Sequence, residues 1–81
     1  MKFSVYILRS LKDKRRYIGM TERTILQRID EHNRGIVKST KNRRPLELIY
    51  FEEFETKTEA MKREKFFKSG AGRDYLKCIG K

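Results

Sequence analysis

Three short runs of β-forming residues constrain this chain more than anything else in it. Phe3-Ser4-Val5-Tyr6-Ile7-Leu8 and Tyr17-Ile18-Gly19-Met20 are rich in aromatic and aliphatic residues, and Leu46 to Phe54 carries the apolar centre Leu48-Ile49-Tyr50-Phe51. The polar stretch Ser10 to Arg16 joins the first two as a hairpin, with Asp13-Lys14 as a turn that lacks the favoured glycine. Loop parity sets the geometry: an even-numbered loop puts Tyr6 and Tyr17 on one sheet face, an odd one separates them. Thr21, with Thr24 as a weaker start, caps a helix running to about Arg34, where Gly35 supplies the stop. Residues 35–45 form a loop closed by Pro45. Thr56 or Thr58 starts a second helix that continues to about Lys68. Gly70-Ala71-Gly72 breaks it, and Asp74 to Ile79 forms a short terminal helix. The order ββαβαα predicts an α+β fold, a small sheet with helices packed on it.

With 81 residues the chain is read as one domain, residues 1–81. A chain of this length buries only about 60% of its unfolded surface. Apolar residues are 37% of it, but four Tyr and five Phe supply large buried area per residue. A single cysteine, Cys78, excludes an intramolecular disulfide, and a single histidine leaves a Cys/His zinc site without ligands. No run of 18 apolar residues exists, so no membrane span is expected. Met1-Lys2-Phe3-Ser4 reaches charge by Arg9 without a long apolar core, so no secretory leader is expected and a cytoplasmic location fits.

Charge points to a partner. Twenty-one Lys+Arg oppose 11 Asp+Glu, a net +10. The excess is spread over residues 1–21, 22–45 and 60–81, while 46–59 is net acidic. A folded domain then presents a basic surface built from several elements, whose usual partner is a phosphate backbone. No strongly basic amphipathic helix with exposed Trp, Phe or Leu argues for a membrane surface instead. No protein partner can be inferred from the pattern, although the acidic 46–59 segment leaves open an adaptor reading against a basic partner.

Some polar residues break the apolar pattern. At about 100° per helical residue, Ile25, Leu26 and Ile29 define the stripe of the first helix, and Arg28 and His32 flank it. On the second helix Ala60, Met61 and Phe67 form the stripe, and Glu64 falls inside it. An unpaired carboxylate there would cost several kcal/mol. It needs a cation: Lys68 four residues on, another basic residue, or a divalent metal taking oxygen ligands. Singly, each of these residues has an ordinary structural explanation. Together, one carboxylate, Arg28, His32 and two tyrosines form a phosphodiester-cleaving set: a positive clamp, a metal ligand and a base.

Val5-Tyr6 followed by Tyr17-Ile18-Gly19 resembles the paired signature of the GIY-YIG nuclease superfamily. Ser4-Val5-Tyr6 stands where Gly-Ile-Tyr is typical. The resemblance continues through Arg28, His32-Asn33, Gly35, Ser39-Thr40-Lys41, Arg43-Arg44-Pro45, Ala60 with Glu64, Lys68-Ser69-Gly70 and Gly72-Arg73. It covers essentially the whole chain, which looks like the small stand-alone members and like the nuclease domain at the start of the excision-repair incision enzyme. It implies a three-stranded antiparallel sheet with the first strand central, flanked by helices. It also implies a divalent-metal-dependent endonuclease acting on DNA rather than RNA, with Mg2+ (or Mn2+) held by Glu64. Arg28 matches the residue that stabilises the scissile phosphate, and Tyr6 and Tyr17 match the signature tyrosines. Tyr17, or His32 in concert with it, would help deprotonate the attacking water. A phenol, with an ordinary pKa of about 10, needs a metal, an Arg or a water network to do so. Several nucleases of this superfamily carry a further Asn near the last helix, and residues 70–81 hold none. Lys38, Lys41, Arg43 and Arg44 are expected to contact nucleic-acid backbone, with Ser39 and Thr40 adding hydroxyl donors and Arg73 a further cation. The rival reading is a non-catalytic nucleic-acid-binding module that kept the fold.

Overall fold

The computed structural model describes residues 2–81; Met1, where the leader reading begins, lies outside them. Its elements are β1 (Phe3–Ser10), β2 (Arg16–Thr21), α1 (Ile25–Asn33), a single 3-10 turn (Lys41–Arg43), β3 (Leu46–Phe54), α2 (Lys57–Phe67) and α3 (Gly70–Cys78). The three strands form one antiparallel sheet in the order β2-β1-β3. The first run of β-formers is therefore the central strand. That accounts for its near-continuous burial from Ser4 to Leu8, since a central strand is covered on both faces.

The two faces hold different contents. Val5 and Ile7 point to one side and pack with Ala60, Phe67 and Leu76 from α2 and α3. Tyr6 and Leu8 point to the other, where Leu46, Ile25 and Ile29 join them. This alternation of period two separates a dry core under α2 and α3 from a face under α1 that carries polar chemistry.

The hairpin closes without glycine. Lys14 itself takes the left-handed conformation, φ +64°. Ser10 organises the loop, its hydroxyl accepting from the amides of Lys12 (3.1 Å) and Asp13 (3.2 Å) and donating to the Arg43 carbonyl (2.6 Å). The register pairs Tyr6 with Gly19 and Leu8 with Tyr17, so Tyr6 and Tyr17 share one face.

Helix ends follow side-chain chemistry. Thr24, not Thr21, caps α1, accepting from the Gln27 amide, while Thr21 accepts from the Arg23 amide in the preceding turn. At its other end Gly35, φ +80°, makes a Schellman stop: the Gly35 amide bonds the His32 carbonyl and the Ile36 amide bonds the Glu31 carbonyl, both 3.2 Å. Thr56 caps α2. The break after α2 falls at Lys68 and Ser69, ahead of the glycines expected to make it. Ser69 caps a new helix there, and Gly70-Ala71-Gly72 is its first turn. Gly72 is required at that place because an added Cβ would lie 2.0 Å from the Phe66 carbonyl oxygen, which is backbone and cannot give way. Close approach of α3 to the end of α2 outweighs the low helix propensity of glycine.

A second departure concerns Leu26, predicted in the core stripe and found 80% exposed. α1 seats one narrow row on the sheet, Ile25, Ile29 and His32, and Leu26 falls outside it. Phe66 packs edge-on against Tyr75 of α3, centroids 6.0 Å apart. Arg63 completes that corner: its guanidinium lies 4.6 Å from the Phe66 and Phe67 ring centroids and forks onto Glu52 at 2.8 and 3.2 Å. No helix of the described residues is long and apolar enough to cross a membrane.

Candidate active site and nucleic-acid interface

The α1-facing side of the sheet collects four of the five proposed catalytic residues. Tyr6 projects from the central strand, Tyr17 from β2, and Arg28 and His32 from successive turns of α1. The Tyr6, Tyr17 and His32 rings form a triangle with centroids 6.4, 5.6 and 5.1 Å apart. Gly19 makes room for it. A Cβ there would sit 2.4 Å from the Tyr6 hydroxyl and 2.5 Å from Cζ, so the ring lies flat over the edge strand only because that position is glycine.

A directed hydrogen-bond chain runs through the triangle. Arg28 Nε donates to the Tyr6 hydroxyl (3.2 Å), which lies 2.9 Å from His32 Nε2. His32 Nδ1 meets Thr40 Oγ1 at 2.7 Å, and that hydroxyl points on to the Val37 carbonyl at 3.5 Å. Thr40 therefore accepts from Nδ1–H, which leaves Nε2 as the acceptor for the Tyr6 proton. The imidazole is neutral: burial, then the Arg28 cation, lowers its pKa to about 4. Burial likewise raises the Tyr6 phenol, with Arg28 opposing it, so the phenol keeps its proton.

Arg28 is held from two sides. Nη1 bonds Glu31 at 3.0 Å, and Glu31 is shared with Arg23. Nε and Nη1 are thus occupied, and the side chain stays 28% exposed. Glu31 is a residue the sequence reading missed, although its i,i+3 spacing from Arg28 is the signal that would have found it.

The acid arrives from the other side of the sheet. Glu64 lies on α2, which packs against the central strand and also against the edge strand β2. Its carboxylate is close enough to contribute to the raised Tyr6 pKa. The side chain is 25% exposed and pairs with Lys68 at 3.4 Å, a loose bond to a lysine itself 56% exposed. Among the described residues no group of three or more His, Cys, Asp or Glu side chains converges as a cage. A lone carboxylate suits a hard cation that keeps several waters and takes its other oxygens from substrate phosphate.

The basic loop divides. Lys38, Ser39 and Lys41 are exposed, and the Ser39 hydroxyl lies 3.4 Å from that of Tyr17. Arg43 is tied to Asp13 (3.1 Å) and the Arg16 carbonyl (3.3 Å), and Arg44 to the Lys41 carbonyl (2.8 Å). Thr40 is fully buried on His32 rather than at the loop surface. Arg73 stands apart from this loop, on α3. Asn33 is committed to the backbone: its side-chain amide accepts from Leu46 N (2.8 Å) and donates to Leu46 O (2.9 Å), stapling the end of α1 to β3.

Residues 2–75 match the model of the GIY-YIG catalytic domain. The chain belongs to the GIY-YIG family. Within it, a UPF0213 protein of Staphylococcus saprophyticus is 43% identical over 79 residues, covering 96% of this chain and 94% of that one. A UPF0213 protein of Listeria monocytogenes is 51% identical over 53 residues, 64% of this chain and 59% of the relative, so the match spans less than two thirds of that relative. The solution NMR structure of a UPF0213 protein from Bacillus halodurans superposes with a TM-score of 0.58 at 34% identity, covering 99% of this chain and 86% of that one. GIY-YIG membership supports a nuclease-type function and a nucleic-acid partner.

One consequence of the GIY-YIG triangle is measurable in the fold itself. The His32 pKa is depressed in the native state, so the unfolded chain binds the proton more readily. Stability is complete above about pH 6.5 and falls as pH drops from there to about 4. The loss from this group is at most about 3 kcal/mol. Urea melts at pH 7.5 and pH 4.5 should show it, and His32→Gln should flatten the difference.

Proposed function

We propose that this chain is a divalent-metal-dependent endonuclease that hydrolyses phosphodiester bonds in DNA, with Glu64 as the protein ligand of Mg2+ or Mn2+. The observation that carries the reading is the Arg28–Tyr6–His32–Thr40 chain set beside a lone carboxylate at the sheet edge. A bound metal would polarise the phosphoryl oxygen and ease proton loss from water. The protein's own residues do the rest. Arg28, oriented by Tyr6 and Glu31, presents its remaining N–H groups to the phosphate. Tyr17 is half-buried and lines an open cleft, so its phenol is the one able to meet the attacking water. His32 is fully enclosed and takes no proton from water directly. Through Nε2 it holds the Tyr6 hydroxyl, and so Arg28, in place. Backbone-contacting cations carry no sequence code, so discrimination rests on nucleic-acid structure, such as branches, nicks or single strands met in repair or recombination.

The test is a cleavage panel of linear, nicked, branched and single-stranded DNA, plus RNA, with and without Mg2+ or Mn2+. Metal-dependent nicking of one or more DNA forms is expected. Binding without cleavage under every condition would replace this reading with that of a non-catalytic nucleic-acid-binding module.

A further inference from the structure

A broad concavity lies away from the basic loop. It is an open cleft of about 740 Å³ between the β1–β2 hairpin and the α2–α3 junction. Arg9, Lys14, Arg15 and Arg16 line it from the hairpin, and Lys68 and Arg73 from the helices. No carboxylate lines it. Ile18 and Leu76 form its apolar floor, and Tyr17 stands in its wall. Tyr17 belongs both to this lining and to the candidate active site, and Lys68, also in the lining, pairs with Glu64.

Its cations play two parts. Arg9 Nη2 (2.7 Å) and Arg16 Nε (3.1 Å) both bond the Lys81 carbonyl and brace one wall. Lys14, Arg15 and Arg73 are exposed, and among the described residues their side chains have no hydrogen-bond or ion-pair partner. Lys68 has Glu64 as a counter-charge, but Lys14, Arg15 and Arg73 have none among the described residues and repel one another unless an anion enters. The volume exceeds that of a single phosphate, so sugar can enter with it. Tyr17 is the only aromatic in the lining, and no Asn or Gln is there to read base edges.

We propose that this cleft is the track for the sugar–phosphate backbone of the DNA strand flanking the scissile phosphate, gripped by Lys14, Arg15 and Arg73 without regard to sequence. It rests on the nuclease reading for the position of the scissile phosphate, but makes its own claim about where the strand lies.

Binding is measured in the Glu64→Gln background, so that cleavage does not consume the probe. Labelled 20-base-pair duplex and a 20-nucleotide single strand are titrated across a salt series by anisotropy. The cleft triple is Lys14→Asn, Arg15→Ala and Arg73→Ala, asparagine being chosen because Lys14 has φ +64°. A control triple, Lys57→Ala, Lys62→Ala and Lys65→Ala on the exposed side of α2, removes the same charge elsewhere. The cleft triple is expected to reduce the slope of log K against log salt by about 2.7 for duplex and about 2 for single strand. The control should leave the slope within about half a unit of the parent. Equal losses in both triples, or none in the cleft triple, would overturn the proposal. Unchanged control, weakened cleft triple and no cleavage by the wild type would keep the track and discard the nuclease. Cleavage by the wild type with equal slopes would do the reverse.

Discussion

Replacing Glu64 with glutamine is expected to lower Mg2+-dependent DNA cleavage by about 10³-fold or more, while binding and fold persist. The two halves of that expectation have separate causes. Glutamine keeps the shape of the side chain and loses only a loose i,i+4 pair with Lys68, which is worth about 0.3–0.5 kcal/mol at an exposed site. Thermal stability should therefore change by no more than a degree or two. For activity, a cation held there would supply several kcal/mol of charge stabilisation, and about 4 kcal/mol corresponds to a thousandfold in rate. The measurement is initial nicking rate against metal concentration for wild type and E64Q, with duplex affinity and melting temperature alongside. A variant that cleaves within tenfold of the wild type would remove Glu64 from the chemistry, and with it the reason for a carboxylate on that face of α2.

The second large effect belongs to Gly19. Gly19→Ala places a methyl group where the Tyr6 hydroxyl and Cζ now lie at 2.4 and 2.5 Å. The ring is fully buried and pinned at its tip by Arg28 and His32, so it has no free end to swing. It must tilt by about 1 Å to reach an ordinary contact distance, and a displacement of that size in a positioning group typically costs about 100-fold in rate. Overpacking should also cost about 1–3 kcal/mol of stability. Tyr6→Phe separates the two effects, since it removes the hydroxyl and leaves the ring where it is. If hydroxyl placement matters, both variants lose cleavage and only G19A adds the steric strain. Wild-type cleavage rates in G19A would show that Arg28 does not depend on Tyr6 for its aim.

Much of the site was legible along the chain because its residues disturb local patterns. His32 and Arg28 flank an apolar helical stripe, Glu64 interrupts another, and both tyrosines sit in β-rich runs whose loop parity puts them together. The parts that escaped are those whose meaning depends on a distant neighbour. Thr40 reads as one hydroxyl in a basic loop, yet its Oγ1 orients His32 from eight residues away. Arg9, Lys14, Arg15 and Arg16 read as scattered hairpin charge, and become a cleft only when Lys68 and Arg73 close over them. The Gly70–Gly72 run reads as a break, and is a helix start because Ser69 caps it and Gly72 lies against the Phe66 carbonyl.

By itself the amino-acid order determined the number and sequence of strands and helices, where most of them end, and the net charge that calls for a polyanion. Those properties come from periodicity, capping chemistry and summed charge, which act over a few residues or over the whole. Tertiary structure alone decided which tyrosine is enclosed and which meets water, which tautomer His32 holds, and where the free cations gather. Each of these is a short-range contact between residues far apart in sequence, and only the packing of α1 and α2 on opposite faces of one sheet brings them within reach.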